Sequence, residues 1–343
     1  MTLAQTDLSL MPGQTRAPGA MRRRSRAAGP GEITRLLALL TVILVLAFFA
    51  LTTRGFFSFW NVLNVVEQAA IPGILALAMA VVILTGGADV QKGGIDLSLA
   101  ANMGLCAAIL AVTLRLGWPE PAALAATLAA GTLIGALNGL AIVWLGILPL
   151  LATLAMSNII GGLELVLTEN TVIPASSPLL TMLAGGSFLG LSSLIWVLIL
   201  VALALSLLLH LSPLGLRLSA TGGHPAAARA AGINTASLRA ASYAFAGFGA
   251  AFAAVLSVSR LSASSTGTGE MLLSILAAAL LGTVFSRRGI PTVGGTLIAV
   301  LFIGFLSNGF QLRGLSSNWV SGVQGALILL VVTATALNRR KGG

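Results

Sequence analysis

The residues that could do chemistry are few, and most of them crowd into one stretch. From Leu84 to Gly104 the chain reads LTGGADVQKGGIDLSLAANMG, which sets Asp89, Lys92 and Asp96 among Gly86, Gly87, Gly93 and Gly94. Gly-Gly-apolar-Asp-apolar occurs twice there, at 86–90 and 93–97. A lysine behind glycines invites comparison with a phosphate loop, whose backbone amides cradle phosphates while the lysine reaches them. The pattern fails: Gln91 stands where a glycine must precede the lysine, and no Ser or Thr follows. The only other lysine is Lys341, so no nucleotide site is expected. Gly93, Gly94, Asp96 and Ser98 read instead as a glycine-broken helix start, with Asp96 expected to cap the helix and favour the positive end of its dipole. Asp89 has no such helix after it. The stretch has the form of a tandem GGxDx duplication, and removing Gly86–Lys92 is expected to leave a folded protein.

No other constellation reads as catalytic or metal-binding. Cys106 is the one cysteine and lies in an apolar run, which excludes an internal disulfide and a cysteine-rich metal site and leaves a small buried side chain. His210 and His224 lack partner carboxylates or cysteines, so they compose no metal site. Glu67, Glu164 and Glu270 fall near the ends of apolar runs, where an interfacial role is expected. No run carries a deep Asp/Glu/His/Arg relay, which argues against coupling to protons or sodium and for a neutral solute. A membrane enzyme would need a nucleophile–base pair or a metal set, and neither is present.

The elements that must position these residues are set by composition. Of 343 residues, 57% are hydrophobic and 8% charged, against roughly 25% charged in soluble domains. With a mean hydropathy of +1.00, the chain reads as an all-α, polytopic membrane protein whose partner is the lipid bilayer. About ten spans are expected, at 36–53, 64–85, 95–114, 120–144, 149–167, 191–211, 240–259, 271–286, 291–310 and 318–336. Residues 1–31 read as a disordered basic tail and 32–340 as the membrane domain. With the N-terminus inside, ten spans place fifteen of the nineteen bases on inner segments and only Arg54, Arg115, Arg260 and Arg313 outside. That bias predicts cytoplasmic N- and C-termini. It also assigns the Arg22–Arg26 cluster to orientation, not to nucleic acid.

Uncharged polar residues within the spans are the candidates for a solute path: Ser98, Asn102, Asn138, Asn158, Ser307 and Asn308. Amides and hydroxyls exchange hydrogen bonds with a hydroxylated solute without the desolvation cost of full charge. Hydrogen bonding between helices is the competing use. Gly131, Gly135 and Gly139 repeat at four-residue spacing, which permits close helix approach, here expected within one subunit. Between spans, the inner loop 212–239 holds Gly223-His224-Pro225-Ala226-Ala227-Ala228-Arg229-Ala230-Ala231-Gly232. Pro225 suits a first helical turn and Gly232 a C-terminal stop. A short alanine-faced helix is expected there, either a passive connector or a peg for another protein's groove.

GGHPAAARAAGIN, the ensuing SLRAASYAFAGFGAAFAAVL and GGIDLSL together resemble the permeases of ribose-type, monosaccharide ABC importers. Gly135-Ala136-Leu137-Asn138-Gly139, the run Leu148–Leu154 (LPLLATL) and SNGFQLRGLSSNW at 307–319 follow in the family's order, so the resemblance spans about residues 36–340. It implies a membrane subunit that moves a monosaccharide or related polyol across the bacterial inner membrane. It implies that ATP and Mg2+ bind a separate ABC ATPase, and that residues 223–232 form the helix that docks on it. A second permease subunit, identical or related, and a soluble substrate-binding protein complete the implied assembly. The chain itself is then not an enzyme and carries no cofactor. Three departures stand out: LAANMG after GGIDLS, GTVFSRRG near 282–289 with few glycines, and the insert Gly86–Lys92. A stand-alone secondary transporter of a small neutral solute is the alternative.

Overall fold

Apolar runs in lipid must satisfy their backbone groups internally, and helices do so. The computed structural model describes residues 30–87, 93–264, 271–286, 289–315, 319–323 and 325–326. In chain order the described helices are α1 (Pro30–Thr52), α2 (Phe59–Gln68), α3 (Ala70–Gly86), α4 (Leu99–Arg115), α5 (Glu120–Val143), α6 (Pro149–Thr168) and α7 (Pro178–Gly185). A two-residue hairpin, β1 (Ser187–Phe188) with β2 (Leu191–Ser192), precedes α8 (Ser193–Leu211), α9 (Pro213–Gly223) and α10 (Pro225–Ala230). Then come α11 (Thr235–Leu261), α12 (Met271–Phe285) and α13 (Val293–Leu312). Among the described residues the chain is thus all-α apart from that hairpin.

Among the described residues five helices, α5, α6, α8, α11 and α13, are long and apolar enough to cross a membrane, and α2 with α3 makes a sixth if that bent pair is one span. The apolar part of α1 (Ala38–Thr52), α4 and α12 are shorter. Most of the expected span 318–336 lies outside the described residues, as do the tail to residue 29, Asp89, Lys92 and Glu270.

The expected span 64–85 departs most from a simple rod. It begins earlier, at Phe59, and bends by 47° between α2 and α3. Pro72 is the cause: it has no N–H for the Gln68 carbonyl four residues back, and its ring crowds that carbonyl. Beyond the bend α3 is buried over fifteen of its seventeen residues, which makes it the central helix. Around it pack α11, α12, α9, α13 and α8, while α6 and α8 are the least buried of the long helices.

Glycines set the closest contacts. A Cβ on Gly135 would overlap the Tyr243 carbonyl, and one on Gly139 would come within 2.7 Å of the Ala240 carbonyl, both on α11. Gly131 meets Gly247 in the same seam. The four-residue glycine repeat therefore packs inside this subunit, backbone against backbone. Gly282 and Gly295 likewise hold α12 to α13 at one end of that hairpin.

The opening glycines serve a similar end. A Cβ on Gly86 would strike the backbone of Gly94, and one on Gly94 would strike the Val82 carbonyl. Gly86 and Gly94 are thus two halves of one contact, not two copies of one function. Within Gly86–Lys92, Gly86 thus has a packing partner, and the deletion that restores LTGGIDLS tests whether Gly93 can take its place.

Candidate functional site

Three of the six path candidates converge in the interior. Asp96 Oδ1 accepts hydrogen bonds from the Ser98 backbone N–H at 2.9 Å and the Ser98 hydroxyl at 2.6 Å. Asn138 Nδ2, reaching across from α5, donates to Ser98 Oγ at 2.8 Å and lies 3.4 Å from Asp96 Oδ1. One turn into α4, Asn102 Nδ2 donates to the Gly131 carbonyl at 3.1 Å, and the Cys106 thiol faces Asn102 Oδ1 at 3.4 Å. Asp96, Ser98, Asn102 and Asn138 are all buried, none more than 1% exposed. This is a knot between helices, with no solute-sized opening beside it among the described cavities.

The helix start differs in detail from the expected cap. α4 begins at Leu99, and its N-cap residue Ser98 makes no side-chain capping bond. Asp96 lies two residues earlier and ties the turn through Ser98, because its carboxylate reaches the i+2 amide before the helix begins. Gly93 and Gly94 are buried at the same place.

The remaining candidates separate. Asn158 lies on the exposed face of α6, with its amide donating to the Leu154 carbonyl of its own helix at 2.9 Å. Ser307 and Asn308 border a cavity of about 140 Å³ between the α2–α3 bend, α12 and α13, together with Gln68 and Ser274. Asn308 and Asn61 exchange two amide hydrogen bonds, 2.8 and 3.0 Å, and Asn61 also donates to the Phe56 carbonyl at 2.7 Å. Sequence reading missed Asn61, Gln68 and Ser274. Asn61, Asn64 and Gln68 recur at i, i+3 and i+7, a polar helical face that was readable once the span was started at Phe59.

Of the acidic candidates, Glu164 is buried one turn from the end of α6, and Glu67 is half-buried on α2. Glu120, at the start of α5, has a role the sequence did not disclose. Its carboxylate accepts from the Ser177 hydroxyl at 2.5 Å and the Leu179 N–H at 3.0 Å, tying α7 to α5. His210 is exposed beside Ser206, and His224 is exposed at the start of α10.

The alanine-rich segment forms a knob. Pro225, Ala226, Ala227, Arg229 and Ala230 are exposed on α10, and only Ala228 is buried. Gly223, His224, Ala231 and Gly232 flank it, also exposed. Gly232 adopts φ +80°, its N–H bonds the Arg229 carbonyl, and the Ile233 N–H bonds the Ala228 carbonyl at 3.0 Å. That pair of bonds closes the helix as a Schellman motif, which favours glycine at the left-handed position. Sequence reading took residues 212–223 for loop, yet they form α9, with Ser212 capping and Pro213 in the first turn. A Cβ on Gly222 would overlap the Leu84 carbonyl, so α9 rests directly on the last turn of α3. The knob is therefore joined to the central helix through one short, rigid element.

Comparison with known proteins points one way. The family described as branched-chain amino acid transport system / permease component matches residues 61–332. The ribose import permease protein RbsC of Escherichia coli K12 is 33% identical over 301 residues, covering 86% of this chain and 91% of that one. Its namesake from Bacillus subtilis 168 is 33% identical over 314 residues, 91% and 94% of the two chains. The autoinducer 2 import system permease protein LsrD of Enterobacter sp. strain 638 is 32% identical over 273 residues, 78% and 81%. No solved structure matches the chain.

Proposed function

The chain belongs to the ribose-type permease family of ABC importers, and from that premise we propose that it is the membrane subunit of a binding-protein-dependent importer for a monosaccharide or related polyol. Multi-pass membrane transport is the family's trade; the solute class rests on relatives named for ribose and autoinducer 2. The observation that carries the mechanism is the exposed α10 knob seated, through α9, on the end of α3.

In this reading α10 docks in a groove of a separate ABC ATPase, where ATP and Mg2+ bind. The smooth alanine surface allows close approach, and the Schellman stop keeps the knob from fraying. Closure of the ATPase pair on ATP pushes α10, and α9 passes the displacement to α3. Because α3 is buried on all sides, its shift alters every neighbouring helix contact at once. The result is a change in population between inward- and outward-facing states, driven by the difference in affinity for ATP. Ten spans with both termini in the cytoplasm of a bacterial inner membrane put α10 on the ATPase side. They leave α7 and the hairpin outside, toward a soluble binding protein. A second permease subunit completes the path.

The test is uptake by the assembled importer in membrane vesicles. Replacing the catalytic carboxylate of the partner ATPase by its amide is expected to abolish uptake while the complex still co-purifies. Uptake that persists in that variant, or that runs on an ion gradient without ATP, overturns the reading in favour of a secondary transporter.

A further inference from the structure

We propose that the cavity between α2, α3, α12 and α13 is a transit site for an uncharged polyol, closed on its outer side by α2 through the Asn61–Asn308 amide pair. This deepens the importer reading and rests on its orientation, adding a place and a gate.

The lining favours hydroxyl groups and offers nothing to a charge. Gln68, Ser274, Ser307 and Asn308 supply donors and acceptors over an apolar floor that includes Ala278 and Val300, and no lining residue is ionisable. A single water needs roughly 10–15 Å³ on the same measure, so 140 Å³ is room for several waters or one small polyol. An amino acid would bring an ammonium and a carboxylate into a site with no counter-charge, at a steep desolvation cost.

The packing shows which wall can move. α12 and α13 are pinned at their inner ends by Gly282 and Gly295, and the cavity opens between them further out. Near the outer end, α13 is held on its other side by Phe49, which fills the space above Gly309 and packs edge-on against Phe310. By contrast, α2 buries one residue, Val65, and elements with few buried contacts open at low cost. Its junction with α3 lacks the helical bond that Pro72 cannot make, so only the Ala69 N–H to Val65 and Gly73 N–H to Ala69 carbonyl bonds resist a change of angle there. At the outer end of α2 the amide pair is the polar tie to α13, beside the apolar packing of Phe56 and Phe57, just before α2, on Phe305. Water or a hydroxylated solute can replace those two bonds one for one.

Accessibility measures the gate without needing transport. The reporter is Ala278→Cys, at the cavity floor, with Ser274→Cys as a second reporter should the first fold poorly; native Cys106 is buried and supplies the background. The full-length chain in right-side-out membrane vesicles is treated with a membrane-impermeant, charged methanethiosulfonate. Adding Asn61→Leu is expected to raise the labelling rate about tenfold, the equivalent of ~1.4 kcal/mol taken from the closed state. Asn61→Gln, which keeps the amide, restores slow labelling. Excess ribose or ribitol slows labelling of the opened variant, whereas valine does not. Equal rates in all backgrounds overturn the gate, and protection by valine as strong as by ribitol, or by neither, overturns the polyol site. The ATP dependence of uptake is read separately, so the importer reading can stand or fall alone.

Discussion

Where α5 crosses α11, backbone meets backbone; where α2 meets α13, side chains do the holding, through an amide pair, Val65 and the rings of Phe56 and Phe57 on Phe305. Gly131, Gly135 and Gly139 leave no room for even a methyl group against Tyr243, Gly247 and Ala240. The α2–α13 side keeps a cavity of about 140 Å³ beneath a bent, lightly buried helix. In lipid, apolar surface alone gives helices little reason to associate, so closeness of packing decides which contacts are permanent. The first region is built to stay together and the second to come apart. Polar residues follow the same division: Asp96, Ser98, Asn102 and Asn138 are enclosed in the knot, whereas Gln68, Ser307 and Asn308 border the cavity, Asn308 through its pairing with Asn61.

The sharpest way to break the comparison is to force the tight side open. Gly135→Leu drives a side chain into the Tyr243 carbonyl, and overpacking of this kind costs about 1–3 kcal/mol or more. With four added heavy atoms against fixed backbone, the upper end applies, and monodisperse protein is expected to be lost in detergent. A variant that folds with an unchanged melting temperature would mean that the seam is not rigid. Next in size is Gly222→Ala, which pushes α9 off Leu84. Here the fold is expected to survive with a loss of about 1–3 kcal/mol, and co-purification with the ATPase to persist. Transport is expected to fall, because α10 no longer moves α3. Full transport in that variant would remove α9 from the coupling route.

How much of this was legible in the sequence follows from the same physics. Apolar runs announced the long helices, since lipid leaves the backbone no other choice. They said nothing about α9, whose SPLGLRLSATGG looks like a loop by hydropathy, although Ser212-Pro213 is a regular helix start. Hydropathy does not show the bend, because Pro72 sits within a continuous apolar run. Asn61 escapes the same reading because it precedes the apolar run that starts at residue 64. The Schellman closure at Gly232 was legible, being purely local. The pairing of Ser98 with Asn138 was not, since the two are forty positions apart and nothing local links them.

The smallest effect is the most discriminating, because it concerns a residue assigned to neither region. Asn158 was a path candidate on composition, but α6 turns it outward, and its amide is satisfied by the Leu154 carbonyl of its own helix. Replacing it with Leu removes no contact between helices and places an apolar side chain where lipid or another subunit is met. The expected change in stability is within about ±0.5 kcal/mol, as for a surface site away from caps, seams and networks. Uptake should likewise be unchanged, in contrast to any substitution at Ser307 or Asn308. A folded Asn158→Leu protein that loses uptake would put the solute, or a subunit seam carrying it, on the α6 face. The path would then run along the exposed helices and not past the α2 gate, and the division between a sealed core and an opening edge would have to be redrawn around α6.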